Sequence, residues 1–103
     1  MVLPFTWDGA KAAGNQRKHH VSFETAARVF SDPFALSEQD RIEHGEHRWQ
    51  TIGSVEGVIV LLVAHTVRYR DDGTEVIHII SARRAEPAER RRYEKEKYRH
   101  LRT

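Results

Sequence analysis

Apolar positions change their spacing along the chain, and each change marks a different kind of element. Phe23, Ala26, Ala27 and Phe30 recur at i, i+3, i+4 and i+7, the stripe of a helix buried along one side. Ser22 stands where such a helix needs an N-cap, and Pro33 limits its extension beyond the preceding residue. Ahead of it, "PFTWD" predicts a short strand, and Asp8 is placed to cap a helix running to about residue 19. From residue 34 the pattern becomes that of strands: "FALSEQ" near 34–39, "HRWQTIG" near 47–53, "VIVLLVAHTVR" from 58 and "EVIHIISARR" from 75. The last two are joined by "YRDDGT", where Asp72 and Gly73 signal a hairpin turn because both can adopt positive φ. Pro87, suited to the first turn of a helix, opens a final segment to about residue 101. The expectation is one α+β domain over residues 1–103, with two N-terminal helices, an antiparallel sheet of about four strands and a C-terminal helix.

Alternation along the last hairpin sorts its side chains into two faces. An even-numbered loop places Ile59, Leu61, Val63, His65 and Val67 beside Val76, His78, Ile80, Ala82 and Arg84, a face with two imidazoles and a guanidinium. The other face gathers Val58, Val60, Leu62, Ala64, Thr66 and Arg68 with Ile77, Ile79, Ser81 and Arg83, and its aliphatic middle is the one expected under helices. The histidine face is therefore expected to be the more open side.

Charge sharpens this picture. Net charge is +2, but residues 83–103 carry nine Lys and Arg against four Glu, a balance of +5, whereas residues 1–82 carry eight against eleven, a balance of −3. The basic end is a candidate surface for a polyanion or an acidic protein partner. The chain has no cysteine, which excludes disulfides and thiolate metal sites. Its longest apolar run, "GVIVLLVA", is far short of the roughly 20 residues of a membrane helix, and "MVLPFTWDGAK" lacks a secretory pattern. A soluble, cytoplasmic domain is expected. "HGEH", residues 44–47, offers two histidines in a polar inter-strand loop without an obvious third ligand, so no metal site and no cofactor are expected. No glycine-rich phosphate loop and no cluster of acidic metal ligands occurs.

The residue types suit cleavage of RNA by its own 2′-hydroxyl, which needs a base, an acid and cations around the phosphate. His65 and His78 titrate in the useful range, and Arg68, Arg83 and Arg84 can offer planar pairs of donors to phosphate oxygens. A non-catalytic nucleic-acid- or protein-binding module with a basic C-terminal helix is the alternative.

"FTWDGAKAAGNQRKHHVSFETAARVFSDP", "RWQTIG", "VLLVAHTVR" and "IHIISARRAEPAERRRYE" together resemble the BrnT family of type II toxins, small ribonucleases related in fold to RelE-type toxins. The pattern departs from the family in "RKHH", where His20 replaces a small turn residue. The resemblance implies a metal-independent RelE-like ribonuclease. Its cationic surface would draw on Lys18 and His19, on His65 and Arg68, and on Arg83 and Arg84, with Tyr93 as a further candidate. It also implies a BrnA-like antitoxin partner, assembled as a heterotetramer in which the antitoxin supplies the contact with operator DNA. Arg90, Arg91 and Arg92 are the expected antitoxin-facing residues.

Overall fold

The structure, a computed structural model, describes residues 4–102. Strand β1 (Phe5–Trp7) leads into helix α1 (Gly9–His19) and the short helix α2 (Phe23–Ala27), which tightens into a 3₁₀ turn over Arg28–Ser31. Strands β2 (Leu36–Glu43), β3 (Glu46–Val55), β4 (Ile59–Tyr69) and β5 (Glu75–Arg84) follow, and α3 (Pro87–Leu101) ends the domain. The expected caps are present: the Asp8 carboxylate accepts from the Ala10 and Lys11 amides, and Ser22 Oγ accepts from the Thr25 amide. His20 closes α1 in the left-handed region at φ 58°, its amide bonded to the Gln16 carbonyl, which explains why a small residue suits this position.

The sheet has five strands in the order β1-β5-β4-β3-β2, not four. It is mixed: β1 runs parallel to β5, pairing Thr6 with His78, and the other neighbours are antiparallel. Three residues in "FTW" are too few to declare a direction from pattern alone, so the parallel pairing is a tertiary outcome. The helical stripe also shifts. Val29 is fully buried whereas Ala27 and Phe30 are only partly so, because the tighter 3₁₀ turn rotates the side chains after Ala27. This turn crosses close over β3. A Cβ on Gly53 would lie 2.8 Å from Val29 Cγ1, so the crossing requires glycine there.

Register decides which face each functional side chain occupies. Five residues, Arg70 to Thr74, separate paired Tyr69 and Glu75, an odd-numbered loop. Of its two candidate turn positions only Gly73 has positive φ (84°), while the Asp72 carboxylate accepts from the Thr74 amide. Near the turn, His65 therefore pairs with Ile79 and Thr66 with His78. A β-bulge then leaves Ile80 unmatched, and beyond it Val63 pairs with Ala82 and Leu61 with Arg84, as an even loop predicts. The expected histidine face thus holds only one of its two histidines.

That face is also the covered one. α1, α2 and the 3₁₀ turn pack on it through Val21, Phe23, Ala26 and Val29 against Leu61, Val63, Ile77, Ile79 and Ala82. The expectation of openness is overturned because Ile77 and Ile79, displaced by the odd loop, join Leu61 and Val63 in one aliphatic surface. Asn15, buried on α1, braces the layer: its amide donates to the Val21 and Ala82 carbonyls and its oxygen accepts from the Ala82 amide. On the opposite face α3 covers one end, packing Tyr93 with Ile52 and Leu62.

Candidate nucleic-acid site on the polar face

The end of the sheet away from α3 carries a polar group of side chains. Thr6 and His78 come from β1 and β5, Thr66 and Arg68 from β4, and Glu46 and Arg48 from β3; strand alternation and pairing put them on one face. Thr6 Oγ1 lies 2.8 Å from His78 Nδ1, which fixes the ring and leaves Nε2 without a partner among the described residues. The His78 pKa is held below the ordinary imidazole value, first by burial and then by Arg68 and Lys11, against the opposing pull of Glu46 and Asp8. These causes together favour the neutral imidazole, the form able to accept a proton.

Arg68 lies against Glu46 in a two-point pair, Nε to Oε2 at 3.1 Å and Nη2 to Oε1 at 3.2 Å. That bond, above all, raises the Arg68 pKa and lowers that of Glu46. Two buried polar atoms of this face, Arg48 Nε and Thr66 Oγ1, have no hydrogen-bond partner among the described residues. Such orphans are uncommon in native folds, and a donor and a hydroxyl together suit an anionic or hydroxyl-bearing ligand.

The other sequence-predicted residues are dispersed. His65 is 3% exposed, edge-on to Phe30 at 4.9 Å, with Nε2 2.7 Å from Thr51 Oγ1. Burial lowers its pKa from 6.5 to about 4. Arg83 shares the polar face but is tied through Nη1 and Nη2 to Glu89, at 2.8 and 3.0 Å, and this bond raises its pKa first of all. Glu89 also accepts from the Glu86 amide, so Arg83 helps anchor the start of α3. Arg84 is exposed and on the opposite face. Lys18 and His19 lie in the last turn of α1, where cations complement the helix dipole.

Tyr93 is buried, and its hydroxyl donates to Asp32 Oδ2 at 2.5 Å and to Ser54 Oγ at 3.2 Å. Burial raises the Asp32 pKa, but the Ser54 amide, the Tyr93 hydroxyl, the Phe34 amide and the Ser54 hydroxyl outweigh it, and the carboxyl stays below its usual value. Of these α3 arginines, Arg90 pairs with Glu94 along the helix, Arg92 pairs with Glu38 of β2, and Arg91 is exposed without an ion pair among the described residues.

Sequence reasoning missed Glu46, Arg48 and Thr6. The signal was present in "GEHRWQ", whose alternation sets Glu46 and Arg48 on one face, but it needs the register to β4 before it points anywhere. The "HGEH" histidines diverge: His44 occupies the turn at φ 52°, and His47 Nδ1 lies 2.5 Å from Gln39 Nε2. Among the described residues no three His, Cys, Asp or Glu side chains gather as a metal site would require.

Fold and site define the class: a small α+β domain with one sheet face packed under helices and an imidazole, guanidinium and carboxylate grouped on the other. Residues 7–89 match the family described as the ribonuclease toxin, BrnT, of a type II toxin-antitoxin system, and the chain belongs to that family. It is accordingly a ribonuclease toxin of that class, and a type II system implies an antitoxin partner. The structure is similar to the 1.1 Å crystal structure of the Brucella abortus ribonuclease toxin BrnT, with a TM-score of 0.57 and 23% identity over 82% of this chain and 97% of that one. At that identity the likeness establishes the fold. No curated protein matches the chain. No described helix is long and apolar enough to cross a membrane.

Proposed function

We propose that the chain is a metal-independent endoribonuclease whose reacting groups lie on the polar face. The observation that carries this reading is His78: a neutral imidazole oriented through Nδ1 by Thr6, with Nε2 unpartnered and an arginine close enough to shift its titration. In the proposed reaction Nε2 takes the proton from a 2′-hydroxyl, the 2′-oxygen attacks the adjacent phosphorus, and the bond to the 5′-oxygen breaks as that oxygen takes a proton from solvent water, after which His78 returns its proton to solvent. Arg68 and Arg48 hold the non-bridging oxygens, and Glu46 positions Arg68 through their two-point bond. Products are a 2′,3′-cyclic phosphate and a 5′-hydroxyl.

His65 has no part in this step: it is buried, neutral and on the other side of the sheet. Lys18 and Arg84 serve as flanking cations for the RNA backbone, and His19 adjoins Lys18 in the last turn of α1. α1 runs beside β5, with Asn15 bonded to Ala82. Arg83 and Tyr93 act by holding α3 in place. Two helices on one face and α3 on the other support a RelE-like reading of the fold. The partner is a BrnA-like antitoxin in a heterotetramer, which carries the contact with operator DNA in the cytoplasm. Arg90, Arg91 and Arg92 attract its acidic surface.

The test is incubation of the antitoxin-free protein with RNA in excess EDTA, followed by end-group analysis. Cleavage with cyclic-phosphate ends supports the mechanism. Loss of cleavage on chelation with recovery on adding magnesium contradicts it.

A further inference from the structure

A second surface, which shares only Glu46 with the polar-face group, lies on the covered face where the N-terminal helices stop. A groove of about 690 Å³ opens between the 3₁₀ turn and the turn-proximal ends of β2 to β5. Phe30, Trp49, Val67 and Ile77 line it, and Tyr69, 70% exposed, stands at its edge. The carboxylates lining it are Glu46 and Glu75, and neither Lys nor Arg does so. Glu46 is engaged by Arg68, whereas Glu75 is exposed and forms no ion pair among the described residues.

An open apolar groove edged by Trp and Tyr has the composition of an interface hot spot. Its charge discriminates between occupants. RNA would bring phosphates against two carboxylates with no Lys or Arg in the lining to offset them, whereas a protein segment can bring an apolar side chain together with a cation. We propose that this groove anchors the antitoxin: a segment of it inserts an aliphatic or aromatic side chain between Trp49, Val67 and Ile77 and sets a Lys or Arg against Glu75. The proposal rests on the reading of the chain as one half of a toxin-antitoxin pair. It places the anchor on the opposite sheet face from His78, so anchoring and cleavage are separable. The α3 arginines then steer the encounter, and the groove sets how long the complex lasts.

The purified product of the reading frame adjoining this chain's own is the probe, and its association and dissociation rates are measured on the full chain. Glu75→Lys and Tyr69→Ala alter exposed side chains, and thermal unfolding checks that both variants fold. Each is expected to speed dissociation about tenfold and the pair about 100-fold, with RNA cleavage by the free protein unchanged. Replacing Arg90, Arg91 and Arg92 with Gln is expected to slow association and flatten its salt dependence while leaving dissociation within about threefold. Wild-type dissociation from both groove variants overturns the proposal, as does failure of the probe to bind the wild-type chain. Loss of RNA cleavage in the groove variants with antitoxin binding intact also overturns it and assigns the groove to RNA. A wild-type chain that binds the probe through the groove yet cuts no RNA removes the enzymatic mechanism and leaves the anchor standing.

Discussion

His65 and His78 sit on neighbouring strands of one sheet, yet their surroundings differ in almost every respect. His65 is enclosed by the 3₁₀ turn and β3, edge-on to Phe30 and bonded to Thr51, and burial makes its charged form costly. His78 is only partly buried, oriented from one side by Thr6, and surrounded by Arg68, Glu46, Lys11 and Asp8. Burial lowers both pKa values, but only His78 also feels the charges of a polar surface. Imidazole thus occurs in two settings, as a packed core group on the covered face and, on the polar face, as the group proposed to react. The bulge at Ile80 is compatible with both, because it lets the Arg83 end and the His78 end of β5 take different registers against β4.

The sharpest way to break this comparison is to truncate the polar face. His78→Ala and Arg68→Ala are each expected to lower cleavage by roughly 10²- to 10³-fold, the scale of a lost base or charge stabiliser. Both side chains are at least partly exposed, so unfolding midpoints in urea should stay close to wild type. Cleavage should also depend on pH. Because the neutral form of His78 is the base and its pKa is depressed, the rate should hold through neutrality and fall only below the ordinary imidazole range.

The covered face should respond through stability. The His65 pKa is near 4 when folded and 6.5 in its absence, so the unfolded chain takes up a proton first as pH falls. Stability from this group is complete above about pH 6.5 and is lost progressively toward pH 4, by about 3 kcal/mol in all. Urea titrations across that range should show the loss in the wild type and a shallower slope in His65→Gln.

Tyr93→Phe removes hydroxyl bonds to Asp32 and Ser54 without opening a cavity, and should cost about 1–2 kcal/mol by chemical unfolding. An effect on cleavage beyond the loss of folded protein would return Tyr93 to the reacting groups. The smallest expected change is a gain. His20→Gly relieves the left-handed backbone at the end of α1 and should raise stability by about 0.5–1 kcal/mol, read as a higher thermal midpoint.

Much of this architecture was legible because local rules carry it. Asp8, Ser22 and Pro87 mark helix starts by capping chemistry, and the strands show themselves by composition. Which face a strand residue joins is a different kind of fact. It depends on whether the Arg70–Thr74 loop is odd or even and on one unmatched residue, Ile80, and neither is fixed by alternation within a strand. Arg68 and His78, assigned to opposite faces on the even-loop premise, come together for that reason, and His65 and His78 separate. Asn15 was missed because nothing in "AKAAGNQ" reveals that its amide will find the backbone of Ala82, 67 residues later. Glu46 and Arg48 were visible as charges on a strand, but not as neighbours of Arg68.

The central claim is that the polar face, not the covered one, cuts RNA. The measurement that tests it most directly is cleavage at pH 7 in excess EDTA by His78→Gln and His65→Gln, with each rate normalised to the folded fraction. The expected result is a loss of about 10²-fold or more in His78→Gln with His65→Gln near wild type. Full activity in His78→Gln together with loss in a folded His65→Gln would place the chemistry on the covered face and contradict this account.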